Sequence, residues 1–259
     1  MTRTIDQLGA YFKEQYESTT RVVLPKRTHT IIRLDGNAFH TYTRGLPKPF
    51  DETLHDDLVS SAAFLCAKIS GARLAYVQSD EVSILITDAA NPGTQPWFGG
   101  NVQKLTSVSA SILTAKFNEL RNIGLGDLGE KLAFFDARAF AIADPEDVEA
   151  YFHWRRIDAW RNAVYSTARA HHSHKSLQGQ GSMAQLEMIA KAGVDWDVVS
   201  DNFKHGTVIR REERVEDVEF THSTTGERHV ARDVKRCVWV AEAARHSTFP
   251  THLESCLLG

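Results

Sequence analysis

The stretch Thr30-Ile-Ile-Arg-Leu-Asp-Gly-Asn-Ala-Phe-His40 is a β-branched, apolar run that ends in Asp-Gly, so a strand delivers the Asp35 carboxylate into a tight turn. Along it Arg33 and Asp35 share one face, while Ile32 and Leu34 take the other. A second stretch, Ala72-Arg-Leu-Ala-Tyr-Val-Gln-Ser-Asp-Glu-Val-Ser-Ile-Leu-Ile86, is two apolar runs folded around Ser79-Asp80-Glu81. It reads as a β-hairpin with acids at its tip. Carboxylates at neighbouring strand ends, beside a turn rich in backbone N–H groups, suit divalent metal and a triphosphate.

Outward from these stretches the pattern alternates. Residues 5–17 have an amphipathic helical spacing through Leu8, Tyr11, Phe12 and Tyr16. Asp51 precedes a helical run with Leu54, Leu58, Ala62, Leu65 and Ile69, closed by Gly71. After the hairpin comes a loop over 91–96, then a helix over 100–121 and a strand over 133–142. The order is β-α-β-β-α-β, an α+β, ferredoxin-like arrangement that also forms polymerase palms. In it the first strand is expected beside the second and third, so that Asp35 and Asp80 converge. Residues 1–145 are read as this palm with its N-terminal helix. Residues 146–259 are read as a C-terminal extension packed on it. That extension holds a long helix over 146–170, a short helix capped by Ser182, and strand-like segments at 206–211 and 236–240 around a turn at 223–227.

Composition narrows the class. The chain has 259 residues, 42% apolar and 24% charged, with a net charge of −3, so any nucleic-acid surface must be a local patch. Cys66, Cys237 and Cys256 have neither metal-like spacing nor an even count, which favours a reducing cytoplasm over a disulfide framework. The N-terminus lacks a signal-peptide core, and no apolar run reaches membrane-spanning length.

Asp35 with the Gly36 carbonyl, and Asp80 with Glu81, form the candidate acidic site. Two-metal chemistry needs oxygen ligands that bridge the ions, and Mg²⁺ completes its shell with water and phosphate. The backbone of Asn37, Ala38, Phe39 and His40 is a candidate phosphate nest. Lys48, between two prolines, and Lys104, early in the second helix, are either phosphate contacts or solvated lysines. Asp136 either joins the acids or pairs with Arg138. Arg155, Asp158, Arg161 and Asn162 recur at one-turn spacing, as a substrate-facing polar row or a salt-bridged helix face. His171, His172 and His174 have no Cys or acidic partner spaced for zinc; His174 and Lys175 read instead as an RNA-facing patch.

Three segments, Arg33-Leu-Asp-Gly-Asn-Ala-Phe-His40, Lys48-Pro49 with Asp51, and Tyr76-Val-Gln-Ser-Asp-Glu81, together resemble the signature of the tRNA-His guanylyltransferase family. Trp97-Phe98 with Lys104, Phe135-Asp-Ala-Arg138, Trp154-Arg155 with Asp158, and Phe203-Lys-His-Gly-Thr-Val208 continue it in order. The resemblance implies a palm that adds nucleotides to the 5′ end of tRNA, with ATP and GTP as substrates. It assigns two Mg²⁺ to Asp35, the Gly36 carbonyl and Asp80, and nucleotide binding to 35–40 and Ser79. Glu81 becomes a supporting catalytic acid, and Lys48 and Lys104 triphosphate contacts; a homotetramer is also implied. Eukaryotic members carry His-Ile-Asn-Asn-Leu-Tyr-Asn where this chain has Trp160-Arg-Asn-Ala-Val-Tyr-Ser166. The stretch Ser173-His-Lys175 is similar instead to bacterial and archaeal guanylyltransferase-like proteins, which implies templated 3′-to-5′ repair of 5′-truncated tRNA. Two other classes fit the topology: a non-catalytic RNA-binding module, which would carry aromatics on its central strands, and a palm-type nucleotide cyclase.

Overall fold

Strand β1 (His29–Gly36) is buried on both faces, with Ile31, Ile32 and Leu34 fully enclosed. The computed structural model describes residues 4–89, 93–125 and 131–258, so residues 91 and 92 of the expected loop lie outside the described residues. Around β1 an antiparallel sheet forms from β2 (Ala72–Gln78), β3 (Glu81–Thr87), β4 (Phe135–Ile142), β5 (Thr207–Thr221) and β6 (Arg228–Ala243). Its order is β4-β1-β3-β2-β5-β6. The expectation that β1 lies beside both β2 and β3 is therefore corrected: its neighbours are β3 and β4. A strand has only two edges, and β4 takes the second one. Asp80 still reaches Asp35, because it sits in the β2–β3 turn rather than on β2.

Helix α1 (Ile5–Phe12) is closed at its start by a Thr4–Gln7 capping box and passes into a π turn over Lys13–Glu17, so regular geometry stops short of the expected Glu17. A short α2 (Phe39–Tyr42) follows β1. Asp51 caps α3 (Glu52–Lys68), accepting the Leu54 N–H at 2.8 Å. With α4 (Val102–Leu125), α3 covers one sheet face, packing Leu58, Leu65, Leu113 and Phe117 against Ile32, Leu34, Val82 and Ile84. The palm order β-α-β-β-α-β is thus present.

The other face is covered by α5 (Pro145–His171) and α9 (Phe249–Leu258), whose Val148, Phe152, Phe249 and Leu253 enclose Ile31, Leu74, Tyr76 and Leu85. Between them lie α6 (His174–Leu177), α7 (Ser182–Lys191) and α8 (Asp201–His205). Ser182 is the first helical residue of α7, not its cap; Gly181 holds that position without a side-chain bond. The C-terminal strands are longer than their sequence signal, and β5 pairs directly with β2, matching Val77 to Thr207 and Leu74 to Arg210. The hairpin extends the palm sheet through its edge.

Candidate active site

Two turns build the site, and both hold a side-chain-bearing residue at positive φ: Ala38 at 52° and Ser79 at 52°. Such strain persists where the surroundings over-determine it, and it clusters at functional sites. Ser79 and Asp80 form the two-residue turn between the paired Gln78 and Glu81. The Gly36 N–H donates to the Asp80 carbonyl at 3.1 Å, locking the two turns together.

Burial raises the Asp80 pKa, and the Asp35 charge raises it further, against hydrogen bonds from its own backbone and Ser79. Among the described residues no cationic side chain pairs with Asp35 or Asp80. Beside them the Gln78 amide oxygen is buried without a partner. Two adjoining carboxylates with no counter-charge and a spare oxygen donor fit a hard divalent cation. Among the described residues no group of three or more His, Cys, Asp or Glu is set for a metal. Water and phosphate oxygens would fill the remaining positions.

Asp80 opens onto a cavity of about 770 Å³, lined also by Gly36, Ala38, Phe39, His40, Lys48 and Ser79, while Asp35 stands behind Gly36 and is not part of the lining. Seven sequence-predicted residues therefore meet in one space. Asn37 does not join them, since its N–H donates to the Phe134 carbonyl at 2.8 Å. That leaves the N–H groups of Ala38, Phe39 and His40 as candidates for a phosphate nest. Asn162 also lines this cavity.

Three expectations are corrected. Glu81 is 3% exposed. It accepts Arg155 Nε at 2.8 Å and is bridged on its other oxygen by Arg155 and by Arg33 at 2.8 Å, with Ser83 Oγ donating at 3.2 Å. Burial raises its pKa and the two guanidiniums oppose that. A carboxylate clamped this way positions the strand and is not free to exchange a proton. Arg155 accordingly leaves the RNA-facing row; it is buried and also bonds Asp158 at 2.9 Å, while Arg161 and Asn162 remain exposed. Lys104 is absent from the cavity and lies 5.8 Å from the Phe98 ring. It sits at the far end of the sheet, because α4 starts where β3 ends.

Asp136 lies opposite Asp35 in the β1–β4 register, with its carboxylate 3.9 Å from Arg138 and both side chains exposed. His174 and Lys175 are exposed in α6, away from the cavity lining. Sequence reasoning missed His55, Gln78, Arg169 and the stacked Phe50–Phe203 pair, whose centroids are 4.4 Å apart at 7°. Burial lowers the His55 pKa, opposed by Asp56, and its ring shares a 2.9 Å bond with Thr207 Oγ1. Gln78, inside the quoted hairpin, and Phe203, first residue of the Phe203–Val208 segment, lay in stretches the sequence had already singled out; the others had no local signal.

The family profile described as tRNAHis guanylyltransferase matches residues 9–143, more than half of the chain. The chain belongs to this family. Its members are nucleotidyltransferases, and the match spans both acidic turns. A tRNA(His) guanylyltransferase of Debaryomyces hansenii is 27% identical over 201 residues, 71% of this chain and 74% of the relative. Two solved structures are similar in fold. A bacterial tRNA(His) guanylyltransferase-like protein in complex with ATP is 40% identical with a TM-score of 0.74, covering 78% of this chain and 88% of that one. Another, in complex with GTP, is 32% identical with a TM-score of 0.72, covering 96% and 98%. Family membership favours the transferase over the RNA-binding module and the cyclase.

Proposed function

We propose that this chain adds nucleotides to the 5′ end of tRNA in the 3′-to-5′ direction, using ATP and GTP, and that its main task is templated repair of 5′-truncated tRNA. The observation that carries the chemistry is the unneutralised Asp35–Asp80 pair, of which Asp80 lines a cavity large enough for a nucleotide. The preference for repair is supported by the cavity wall. Of its lining residues in the 160–166 segment, Asn162 and Tyr165 match the eukaryotic His-Ile-Asn-Asn-Leu-Tyr-Asn, while Ala163 and Ser166 each stand where that motif has Asn. The second reading, dedicated G addition to tRNA-His, is supported by the names of curated relatives such as the Debaryomyces hansenii enzyme.

Two Mg²⁺ would be held by Asp35, Asp80 and the Gly36 carbonyl; when bound, such ions polarise a phosphoryl group and lower the pKa of an attacking hydroxyl. The chain's own residues do the positioning. The N–H groups of Ala38, Phe39 and His40 cradle phosphate oxygens, and Lys48 and Arg169 at the cavity rim balance their charge. The Phe50–Phe203 stack walls the cavity against water. Arg33 and Arg155, by clamping Glu81, keep the Asp80 turn in register with Asp35. For the assembly the proposal is a homotetramer, consistent with the exposed Ile5, Leu8, Phe12 and Tyr16 along the N-terminal segment. No helix among the described residues is long and apolar enough to cross a membrane.

The test uses 5′-labelled tRNAs, intact or lacking the first nucleotide, with ATP, Mg²⁺ and each nucleoside triphosphate in turn. Addition only of the nucleotide that pairs with the 3′ strand is the expected result. Addition of G to tRNA-His whatever base stands opposite would replace repair with the dedicated reading.

A further inference from the structure

The acids have a second flank, made of residues that do not line the cavity. The β1–β4 register sets Arg33 opposite Arg138 and Asp35 opposite Asp136, so all four lie on the face that α5 crosses. Over that face stands Trp154, which is 50% exposed and does not line the cavity. Its ring centroid is 4.4 Å from the Arg155 guanidinium carbon and 5.9 Å from that of Arg33. Tyr151 braces its edge at 5.9 Å and 68°.

These contacts make the indole a fixed surface. Arg155 is itself immobilised by Glu81 and Asp158, so the ring rests on a cation that does not move. Half of the indole nevertheless stays open to solvent, where a residue serving only the core would be covered. Two exposed arginines flank it: Arg138, 59% exposed and 3.9 Å from the equally open Asp136, and Arg161, two turns along α5 from Trp154. An open aromatic face set among arginines matches the chemistry of a nucleic-acid end, a stackable base followed by phosphates.

We propose that Trp154 is the stacking platform for the nucleobase at the 5′ end of the RNA substrate, with Arg138 and Arg161 taking the phosphates that follow it. This rests on the reading of the chain as an RNA-acting transferase. It gives the two flanks separate duties: the cavity holds the nucleotide, and the Trp154 face presents the RNA end to the carboxylates between them.

The experiment uses the full chain and an RNA stem-loop whose 5′-terminal nucleotide is 2-aminopurine, a base that loses fluorescence when stacked. Wild type is expected to quench it, Trp154→Phe to retain most of the quenching, and Trp154→Ala to lose it. The KM for RNA of Trp154→Ala should rise roughly 5- to 150-fold, the factor for one base–aromatic stack, with calorimetric ATP binding unchanged. Wild-type quenching and KM in Trp154→Ala would overturn the platform while leaving the transferase reading intact. Loss of ATP binding together with RNA binding would overturn it too, by showing that Trp154 acts only through Arg155 and Glu81. Wild-type protein that neither binds nor extends the RNA would overturn the parent reading, and the platform with it.

Discussion

Burial and the neighbouring Asp35 hold the Asp80 carboxyl above its ordinary pKa of 3.8, and that gives the site a measurable pH signature. A group whose folded pKa is raised contributes its stability fully below the unfolded value and loses it as pH rises through the folded value. Ionised Asp80 therefore weakens the metal-free fold at neutral pH. Asp80→Asn is expected to raise the metal-free Tm at pH 7 and to abolish nucleotide addition. The gain should shrink as pH falls through the raised folded pKa and vanish below about 3.8. Added Mg²⁺ should raise the Tm of wild type and not of the variant, since a ligand stabilises only a fold that binds it. Equal melting of both proteins at pH 7 would remove the argument. At this scale the acids were legible because a β-branched run ending in Asp-Gly and a hairpin tip are local patterns. Arg155 was not. Helical spacing places it on a stripe with Asp158, but its partner Glu81 lies 74 residues away, and periodicity alone does not say which stripe is buried.

Elements obey a stricter logic, and Lys104 shows it. The strand β3 begins beside the acids and runs its seven residues away from them, about 3.4 Å per residue, and the helix that follows, whose Leu105 lies beside Ile86 and Thr87, starts at that far end. Element order held that information; the lysine's position in the sequence did not. The α8–β5 junction is the opposite case, where nothing local announced the constraint. Gly206 has φ +78°, and a Cβ there would stand 2.5 Å from Tyr76 Oη and 2.7 Å from the Val77 carbonyl. Tyr76 Oη also donates to the His205 carbonyl at 2.6 Å, so the tyrosine has no room to retreat. Gly206→Ala is expected to cost at least ~2 kcal/mol, from the glycine-only backbone region and the close contact. Because α8 carries Phe203 into its stack with Phe50, ATP binding should weaken as well. Urea unfolding and an ATP titration check the two effects. A variant with wild-type values in both would show that the junction adapts and does not hold the cavity wall.

The whole molecule couples the palm to the chain that follows it. The β-α-β-β-α-β order made the four palm strands legible. The continuation of their sheet into β5 and β6 was not, because edge pairing leaves no periodic signal beyond a few β-branched residues. That continuation has a consequence for dividing the chain at residue 145. Ile31, Leu74 and Leu85 are 0% exposed, and their cover comes from Val148, Phe152, Phe249 and Leu253, all beyond that point. Uncovering them forfeits ~1.5–3 kcal/mol per side chain, against a typical net stability of ~5–15 kcal/mol. The same cut leaves the β2 edge, Leu74 to Val77, without its β5 partner, an open apolar strand that invites aggregation. A fragment of residues 1–145 is therefore expected to show no cooperative thermal transition by circular dichroism and no ATP binding. The distal β5–β6 ribbon supplies the control. Residues 213–235 are mostly exposed, so replacing them with a short turn should leave the melting temperature near that of wild type. If the 1–145 fragment melted cooperatively and the ribbon deletion did not, the core would have to be centred on the hairpin, contrary to the packing of β1.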